Sequence, residues 1–245
     1  MKDSLAVIKT ETVAYKQGGV ILEGYLAYDN ALAGKRPGVL VIHDWLGISE
    51  TTQMRAKQLA ELGYVVLAAD IYGKGIRPAN AQEAQAEAMK YYKDRKLLRD
   101  RTRAGLDFLS SQKRVDAARL SVIGYCFGGA GALELARSGA PLKGIVTFHG
   151  SLSTPTPEDA KNIKGKVLVL HGADDPFVKQ ADVIAFMDEM RKGGVDWQLI
   201  QYGGAVHSFT DKRAGSDNTK GGAYNEAADR RSWLAMKNFL IEVFK

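Results

Sequence analysis

The feature that most constrains this chain is a ten-residue stretch, Leu120-Ser-Val-Ile-Gly-Tyr-Cys-Phe-Gly-Gly129. Its apolar, β-prone first half ends at Gly124, and a helix-forming segment begins directly after its last two glycines. Cys126 is therefore expected on a tight turn between a strand and a helix, with glycines where backbone must approach backbone. The helix N-terminus would direct N–H groups and a partial positive charge at the thiol. The pattern predicts a nucleophilic cysteine.

The alternative is a structural cysteine, because free cysteines are often buried and behave as small apolar side chains. The glycine spacing around Cys126, the preceding strand and the following helix favour the nucleophile. The sequence contains no Gly-x-Ser-x-Gly segment, so no serine competes for the same position.

The composition is that of a soluble globular protein, with 45% hydrophobic and 25% charged residues among 245. Cys126 is the single cysteine, so an internal disulfide is impossible and a reducing compartment is favoured. No apolar run approaches the roughly 20 residues that cross a bilayer, and the first five residues lack an apolar signal core. These observations predict a cytoplasmic protein without a membrane partner, or a periplasmic one if a signal peptide has been removed.

The formal net charge of +6 raises the question of nucleic-acid binding. Basic residues are interleaved with acidic ones, as in residues 90–101, and this pattern is typical of a solvated helix face. No nucleic-acid-binding motif accompanies them. We therefore predict no nucleic-acid partner and only a mild attraction for anionic substrates.

Apolar strand-like runs alternate with helical patterns along most of the chain, which predicts one α/β domain over residues 1–245. The sheet is expected to be mostly parallel, with helices on both faces and an N-terminal antiparallel hairpin. The hairpin is predicted over 6–15 and 19–28, and further strands over 38–43, 64–69, 120–123, 143–148, 166–170 and 196–202. Helices are predicted over 50–62, 81–92, 95–111, 127–138, 179–192 and 225–244.

A cysteine nucleophile needs a base, and among the four histidines His207 is the best candidate. His43, His149 and His171 each directly follow an apolar strand and are interpreted as structural residues. His207 lies in a loop after the final strand, where the order nucleophile, acid, histidine of α/β-hydrolases places the base. A surface histidine without a catalytic role is the alternative.

The acid that orients the base should leave a strand end between Cys126 and His207. Asp174 and Asp175 follow the apolar run of residues 166–170 and are both candidates. Asp175 is preferred, because Pro176 fixes the chain just after it. Asp174 is the fallback, and both could instead be turn or cap residues.

With these residues assembled, the sequence resembles the dienelactone hydrolase family over nearly the whole chain from about residue 20. Gly124-Tyr-Cys-Phe-Gly-Gly129 resembles its nucleophile motif, and Gly172-Ala-Asp-Asp-Pro-Phe-Val178 resembles its acid motif, which selects Asp175. Gly204-Ala-Val-His-Ser-Phe209 resembles its histidine motif. His43-Asp-Trp-Leu-Gly47 resembles its loop on the oxyanion side.

The resemblance implies an α/β-hydrolase fold and a carboxylic ester or lactone hydrolase, with a Cys126–His207–Asp175 triad and no cofactor or metal. It further implies that the N–H groups of Trp45 and Phe127 form the oxyanion hole. Asp44 occupies the position of a carboxylate that activates the thiol. As an alternative, Asp44 is a loop residue that hydrogen-bonds its own backbone.

The resemblance also implies that Tyr72 and Lys74 bind substrate. Family members that hydrolyse dienelactone hold its carboxylate with two arginines, and the corresponding positions here are Lys74 and Asp211. Because lysine is a less shape-specific partner and Asp211 would repel an anion, dienelactone itself is not predicted. The expected partner is a small ester or lactone, and the expected assembly is a monomer or a weak homodimer. The alternatives are the same triad acting on thioesters or phosphotriesters, and a non-catalytic binding protein of the same fold.

Overall fold

The computed structural model describes residues 6–245, and strands alternate with helices as the sequence predicts. The strands are β1 (Ile8–Gln17), β2 (Val20–Asp29), β3 (Arg36–Ile42), β4 (Val65–Ala69), β5 (Val115–Tyr125), β6 (Gly144–Phe148), β7 (Lys166–Gly172) and β8 (Trp197–Tyr202). The helices are α1 (Glu50–Glu61), α2 (Ala81–Lys93), α3 (Arg95–Ser110), α4 (Phe127–Arg137), α5 (Gln180–Lys192) and α6 (Glu226–Val243). Strand β5 is longer than predicted, and the segment between β6 and β7 contains a 3₁₀ helix, Pro157–Asn162.

The eight strands form a mostly parallel sheet in the order β1-β2-β4-β3-β5-β6-β7-β8. Strands β1 and β2 pair as an antiparallel hairpin, and β2 is also antiparallel to β4. The pairs β3–β4, β6–β7 and β7–β8 are parallel. The predicted mostly parallel sheet with an N-terminal antiparallel hairpin is confirmed.

The chain divides into two compact units, Met1–Ser121 and Val122–Lys245. The first contains the hairpin, β3, β4 and helices α1 to α3, and the second contains α4 to α6 and strands β6 to β8. The single domain predicted over 1–245 stays a prediction. No helix within residues 6–245 has both the length and the apolar character that crossing a membrane requires.

In the first unit, the core is built mainly on β3 and β4, which are buried along nearly their whole length. All five residues of β4 are buried, which is why this segment reads as a continuous apolar run rather than an alternating one. Helix α3 turns one face to this core, with Leu98, Thr102, Leu106 and Leu109 all buried. Helix α1 begins after Ser49, whose side chain accepts a hydrogen bond from the Thr52 N–H.

In the second unit, helix α4 is buried at every residue, and its only charged pair is enclosed. Arg137 forms ion pairs with Glu134 (3.0 Å) and with Glu189 of α5 (2.7 Å). A buried guanidinium needs a negatively charged partner, and the inward-facing Glu189 of α5 is one. On α5 the apolar Met187 is only half-buried, while the charged Glu189 is buried.

Candidate active site

The turn between β5 and α4 holds Cys126 in an unusual backbone conformation. Its φ and ψ are 54° and −116°, a positive-φ region that costs a non-glycine residue about 1–3 kcal/mol. The Cys126 N–H donates to the Phe148 carbonyl (3.0 Å), and the Cys126 carbonyl accepts from the Gly129 N–H (2.9 Å). Such a bend turns the side chain out of the strand at the start of the helix, and the thiol is free and half-buried.

The glycines around Cys126 allow α4 to begin this close to the sheet. A Cβ on Gly124 would lie 2.6 Å from the Gly129 nitrogen and closer still to the Gly128 carbonyl. A Cβ on Gly129 would lie 2.7 Å from the Cα of Gly150, which follows the end of β6. The predicted reason for the glycine spacing, close approach of backbone to backbone, is observed at both positions.

We expect Gly124→Ala to lower the free energy of unfolding by at least about 3 kcal/mol, because the added methyl meets backbone atoms that cannot rotate away. Urea denaturation monitored by circular dichroism measures this change. Gly203→Ala is the control, since a Cβ at Gly203 has no neighbour within 4 Å. Equal stabilities of the two variants would contradict the packing explanation.

A continuous chain of hydrogen bonds links the sulfur of Cys126 to a buried carboxylate. Nε2 of His207 lies 3.1 Å from Sγ of Cys126, and Nδ1 of His207 lies 2.7 Å from Oδ2 of Asp175. The Asp175 side chain is fully buried, and the His207 side chain is 13% exposed. The structure therefore brings together the three residues that the sequence predicts as nucleophile, base and acid.

The neighbouring carboxylate, Asp174, has a different partner. Its Oδ2 accepts a hydrogen bond from the Gly204 N–H (2.9 Å), and the residue is exposed. It thus tethers the loop after β8 to the loop after β7. Of the two candidate acids, the one that contacts His207 is Asp175.

The backbone of His207 is held by the segment that precedes α6. The His207 N–H donates to the Gly221 carbonyl (3.1 Å), and the His207 carbonyl accepts from the Ala223 N–H (3.0 Å). These bonds form an isolated parallel bridge between His207 and Gly222. The backbone N–H and carbonyl of this loop histidine are therefore both hydrogen-bonded, as in a strand.

Two aromatic rings pack against the His207 imidazole, and sequence reasoning missed both contacts. The His149 ring lies 5.2 Å away between centroids, and the Phe177 ring lies 5.4 Å away, each roughly edge to face. His149 is buried at the end of β6 with φ 41°, and its Nε2 is 2.8 Å from Oγ1 of Thr210. The available signal was position: His149 follows a strand end, and Phe177 is two residues from Asp175.

The electrostatics favour a protonated His207. Burial opposes the charge, but the Cys126 sulfur and the hydrogen bonds with Asp175 and Cys126 outweigh it and raise the pKa of His207 to about 10. Both ring nitrogens then donate, one to Sγ and one to Oδ2. An imidazolium beside the sulfur stabilises negative charge on it.

His171, at the end of β7, behaves in the opposite way. Burial is the main reason that its pKa is lowered; the Asp175 charge raises it and His207 lowers it further. Its Nδ1 is buried without a hydrogen-bond partner among residues 6–245. His43, His149 and His171 are all buried, and their structural interpretation stays a prediction.

In the first unit, the loop after β3 carries Asp44 and Trp45. Asp44 Oδ1 accepts a hydrogen bond from the Leu46 N–H (2.8 Å), the bond to its own loop that the alternative interpretation expects. The Asp44 carbonyl is 2.6 Å from Nδ1 of His43. The Trp45 carbonyl accepts from the Tyr72 hydroxyl (2.9 Å). The thiol-activating role of Asp44 and the oxyanion role of Trp45 and Phe127 stay predictions.

Tyr72 and Lys74 both have partners within the first unit. Tyr72 is buried at 2% exposure, and its ring stacks edge to face on His43. The Lys74 ammonium lies 3.3 Å from Oε2 of Glu23. In the second unit, Asp211 forms an ion pair with Arg213 (2.7 Å). Substrate binding by Tyr72 and Lys74 therefore stays a prediction. A ligand that bound the Lys74 ammonium would have to displace the Glu23 carboxylate.

The described part of the chain, residues 6–245, contains no group of three or more histidine, cysteine or acidic side chains arranged to hold a metal ion. The cluster around Cys126 places a sulfur, an imidazole and a carboxylate in line, the combination that nucleophilic catalysis uses.

Comparison with known proteins shows that the chain matches one protein family over most of its length. A model of the dienelactone hydrolase family matches residues 22–244. A protein from Bradyrhizobium named probable 2-oxo-3-(5-oxofuran-2-ylidene)propanoate lactonase is 31% identical over 215 residues, which cover 82% of this chain and 86% of the relative.

Two solved structures are similar along almost their whole length. The structure named m3DLH is 44% identical with a TM-score of 0.94, covering 97% of this chain and 99% of that one. A dienelactone hydrolase-like promiscuous phosphotriesterase from metagenomic libraries is 43% identical with a TM-score of 0.92 and the same coverage. These likenesses confirm the family resemblance and the predicted fold class.

Proposed function

The chain belongs to the dienelactone hydrolase family and is a hydrolase of that kind, and we propose that it cleaves carboxylic esters or lactones with Cys126 as its nucleophile. The observation that carries this proposal is the line of contacts from Sγ of Cys126 through the His207 imidazole to the Asp175 carboxylate. A nucleophile, a base within hydrogen-bond reach and a third group that orients the base are the parts that covalent acyl transfer needs.

In the proposed first half-reaction, the Cys126 thiolate attacks the carbonyl carbon and the carbonyl oxygen becomes an oxyanion. The N–H groups of Phe127 and Trp45 are proposed to stabilise it, each such donor being typically worth about 3 kcal/mol. His207 then transfers its Nε2 proton to the leaving oxygen as the carbon–oxygen bond breaks. The products are an alcohol and a thioester on Cys126.

In the second half-reaction, neutral His207 takes a proton from water, and the resulting hydroxide equivalent attacks the thioester. The carbon–sulfur bond breaks, the carboxylic acid leaves, and the sulfur and His207 return to their initial charges. Asp175 holds the imidazole in one orientation throughout. The elevated pKa of His207 supports this cycle, because the proton needed by the leaving group is already in place at neutral pH.

Phosphotriesters are the second candidate substrates, because a structure 43% identical to this chain is named a promiscuous phosphotriesterase. The same thiolate would attack phosphorus, and His207 would again protonate the leaving oxygen. Thioesters fit the same cycle. A non-catalytic binding protein would show none of these activities.

We expect alkylation by iodoacetamide to abolish hydrolysis across a panel of esters, lactones, thioesters and phosphotriesters. The reagent is selective here because Cys126 is the only cysteine. Initial rates before and after treatment, with intact mass confirming a single adduct, provide the measurement. Full activity of the alkylated protein would refute the proposal, and a folded protein that is inactive on the whole panel would favour the binding protein.

The panel includes each ester with and without a carboxylate, to test anion recognition by Lys74. An exposed ion pair such as Lys74–Glu23 is typically worth about 0–1 kcal/mol, so a substrate carboxylate could replace Glu23 at little cost. A preference for the carboxylate esters that disappears in Lys74→Met would support substrate binding there. An unchanged preference would mean that groups other than Lys74 bind the substrate carboxylate.

A further inference from the structure

Phe177 is the most exposed of the large apolar side chains described in residues 6–245, and it lies beside the proposed base. It is 65% exposed, although its ring contacts the His207 imidazole at 5.4 Å between centroids with an interplanar angle of 83°. A single exposed phenylalanine would need no explanation. An explanation is needed here because the exposed Phe177 ring contacts the His207 side chain, which is only 13% exposed.

The backbone of Phe177 is anchored beside the proposed base, although its ring is exposed. Its N–H donates to Oδ1 of Asp175 (2.8 Å), so the two oxygens of that carboxylate fix Phe177 and His207 at the same time. The ring also lies directly over Gly221, where a Cβ would come within 2.8 Å of its Cζ atom. Gly221 has φ 80°, and its carbonyl accepts the N–H of His207. The same few groups thus position the ring and the imidazole together.

The second ring that contacts His207, that of His149, is buried rather than exposed. His149 is 3% exposed and packs against Phe209 as well as His207. Of the two rings that contact the imidazole, Phe177 is therefore the one that offers surface to a bound molecule. Because Nε2 of His207 must reach the leaving oxygen, the group attached to that oxygen lies next to the imidazole. The exposed surface of Phe177 is therefore available to such a group.

We propose that Phe177 is a specificity-determining residue that binds the leaving-group side of the substrate and favours esters of apolar, and especially aromatic, alcohols. This inference rests on the proposed function, since it takes His207 as the group that protonates the leaving oxygen. Apolar contact with a preformed, exposed ring removes apolar surface from water on both partners. An aromatic leaving group gains an additional edge-to-face or stacked contact.

The two-step cycle provides a way to isolate this effect. Acetate esters of different alcohols all form the same acetyl thioester on Cys126, so the leaving group influences only the first half-reaction. Propionate and butyrate esters of one alcohol vary the acyl side instead. Phe177 is expected to affect the first series and to discriminate little within the second.

The experiment compares kcat/KM for benzyl acetate and methyl acetate, whose leaving groups differ in apolar surface. We expect Phe177→Ala to lower the benzyl-to-methyl ratio of kcat/KM about tenfold, and Phe177→Leu to lower it less, because leucine keeps part of the apolar surface. The ratio between butyrate and acetate esters of the same alcohol should change less than twofold. Leu234→Ala, which removes another exposed apolar side chain (53% exposed) from α6, is the control and should leave both ratios unchanged.

Several outcomes would overturn the inference. A uniform loss over all esters in Phe177→Ala would assign Phe177 to the positioning of His207 alone, and a change in the acyl series would place it on the acyl side. Both results leave a thiol-dependent hydrolase intact. Failure of the proposed function is recognised separately, by ester turnover that survives iodoacetamide in the unmodified sequence.

Discussion

Replacement of Cys126 by alanine is expected to lower kcat/KM for ester hydrolysis by at least about 10⁴-fold, the scale of nucleophile removal from a triad enzyme. The sulfur is the only protein atom in the proposed cycle that bonds to the substrate carbon. Neither His207 nor Asp175 can replace it. Initial rates with an aryl acetate, together with the intact mass of the protein during turnover, provide the measurement.

The mass measurement separates covalent catalysis from a simple loss of binding. With a slowly deacylated ester, the unmodified protein should gain the mass of one acyl group, and Cys126→Ala should gain none. Alanine has to adopt the same positive φ of 54° as cysteine, so the two proteins should have similar stability. Wild-type activity in a folded Cys126→Ala protein would refute the nucleophile assignment.

The local part of the site was predictable because it is encoded in contiguous residues. Gly124 and Gly129 are required by atoms only a few residues away or on the adjacent strand end, so their spacing around Cys126 carries the geometry of the turn. Asp175 and His207 were predictable for a different reason. A parallel sheet delivers the loops after successive strands to one edge, so chain order limits which residues meet.

The contacts that sequence reasoning missed depend on packing between distant segments. His149 has the same sequence context as His43 and His171, each following a buried strand, yet it is His149 whose ring touches His207. Glu189 is buried because Arg137, 52 residues earlier, needs a charge partner. Neither requirement leaves a periodic or compositional signal.

The role of Asp44 stays a prediction, and the structure shows which bond its side chain makes. The family motif identifies a carboxylate in the loop after β3, and the short aspartate side chain also reaches its own loop backbone. Asp44 Oδ1 accordingly accepts the Leu46 N–H. Asp44→Asn should therefore retain the loop conformation, because the amide oxygen can still accept this bond, and its effect on the rate would report the negative charge alone.

Replacement of Asp175 by asparagine is expected to lower kcat/KM by about 10²- to 10⁴-fold, as found when the acid of a triad loses its charge. The amide oxygen of the introduced asparagine could still accept the Phe177 N–H, but the NH₂ group would then face Nδ1 of His207. The neutral imidazole would have to accept at Nδ1 and carry its proton on Nε2, the wrong tautomer for taking a proton from water.

The pH profile gives this variant a second and more specific signature. Burial, the largest influence on His207, lowers its pKa, while Cys126 and Asp175 together raise it to about 10. Without the Asp175 charge the pKa of His207 must fall, so the imidazolium is lost at a lower pH. For an alkyl ester, whose leaving oxygen needs that proton, the alkaline limb of kcat/KM should move from near 10 in the unmodified protein towards neutral pH.

Asp174→Asn is the matched control, since Asp174 contacts the Gly204 N–H rather than the imidazole. An alkaline limb that shifts equally in both variants, or in neither, would contradict the role of Asp175 because only its carboxylate lies 2.7 Å from His207.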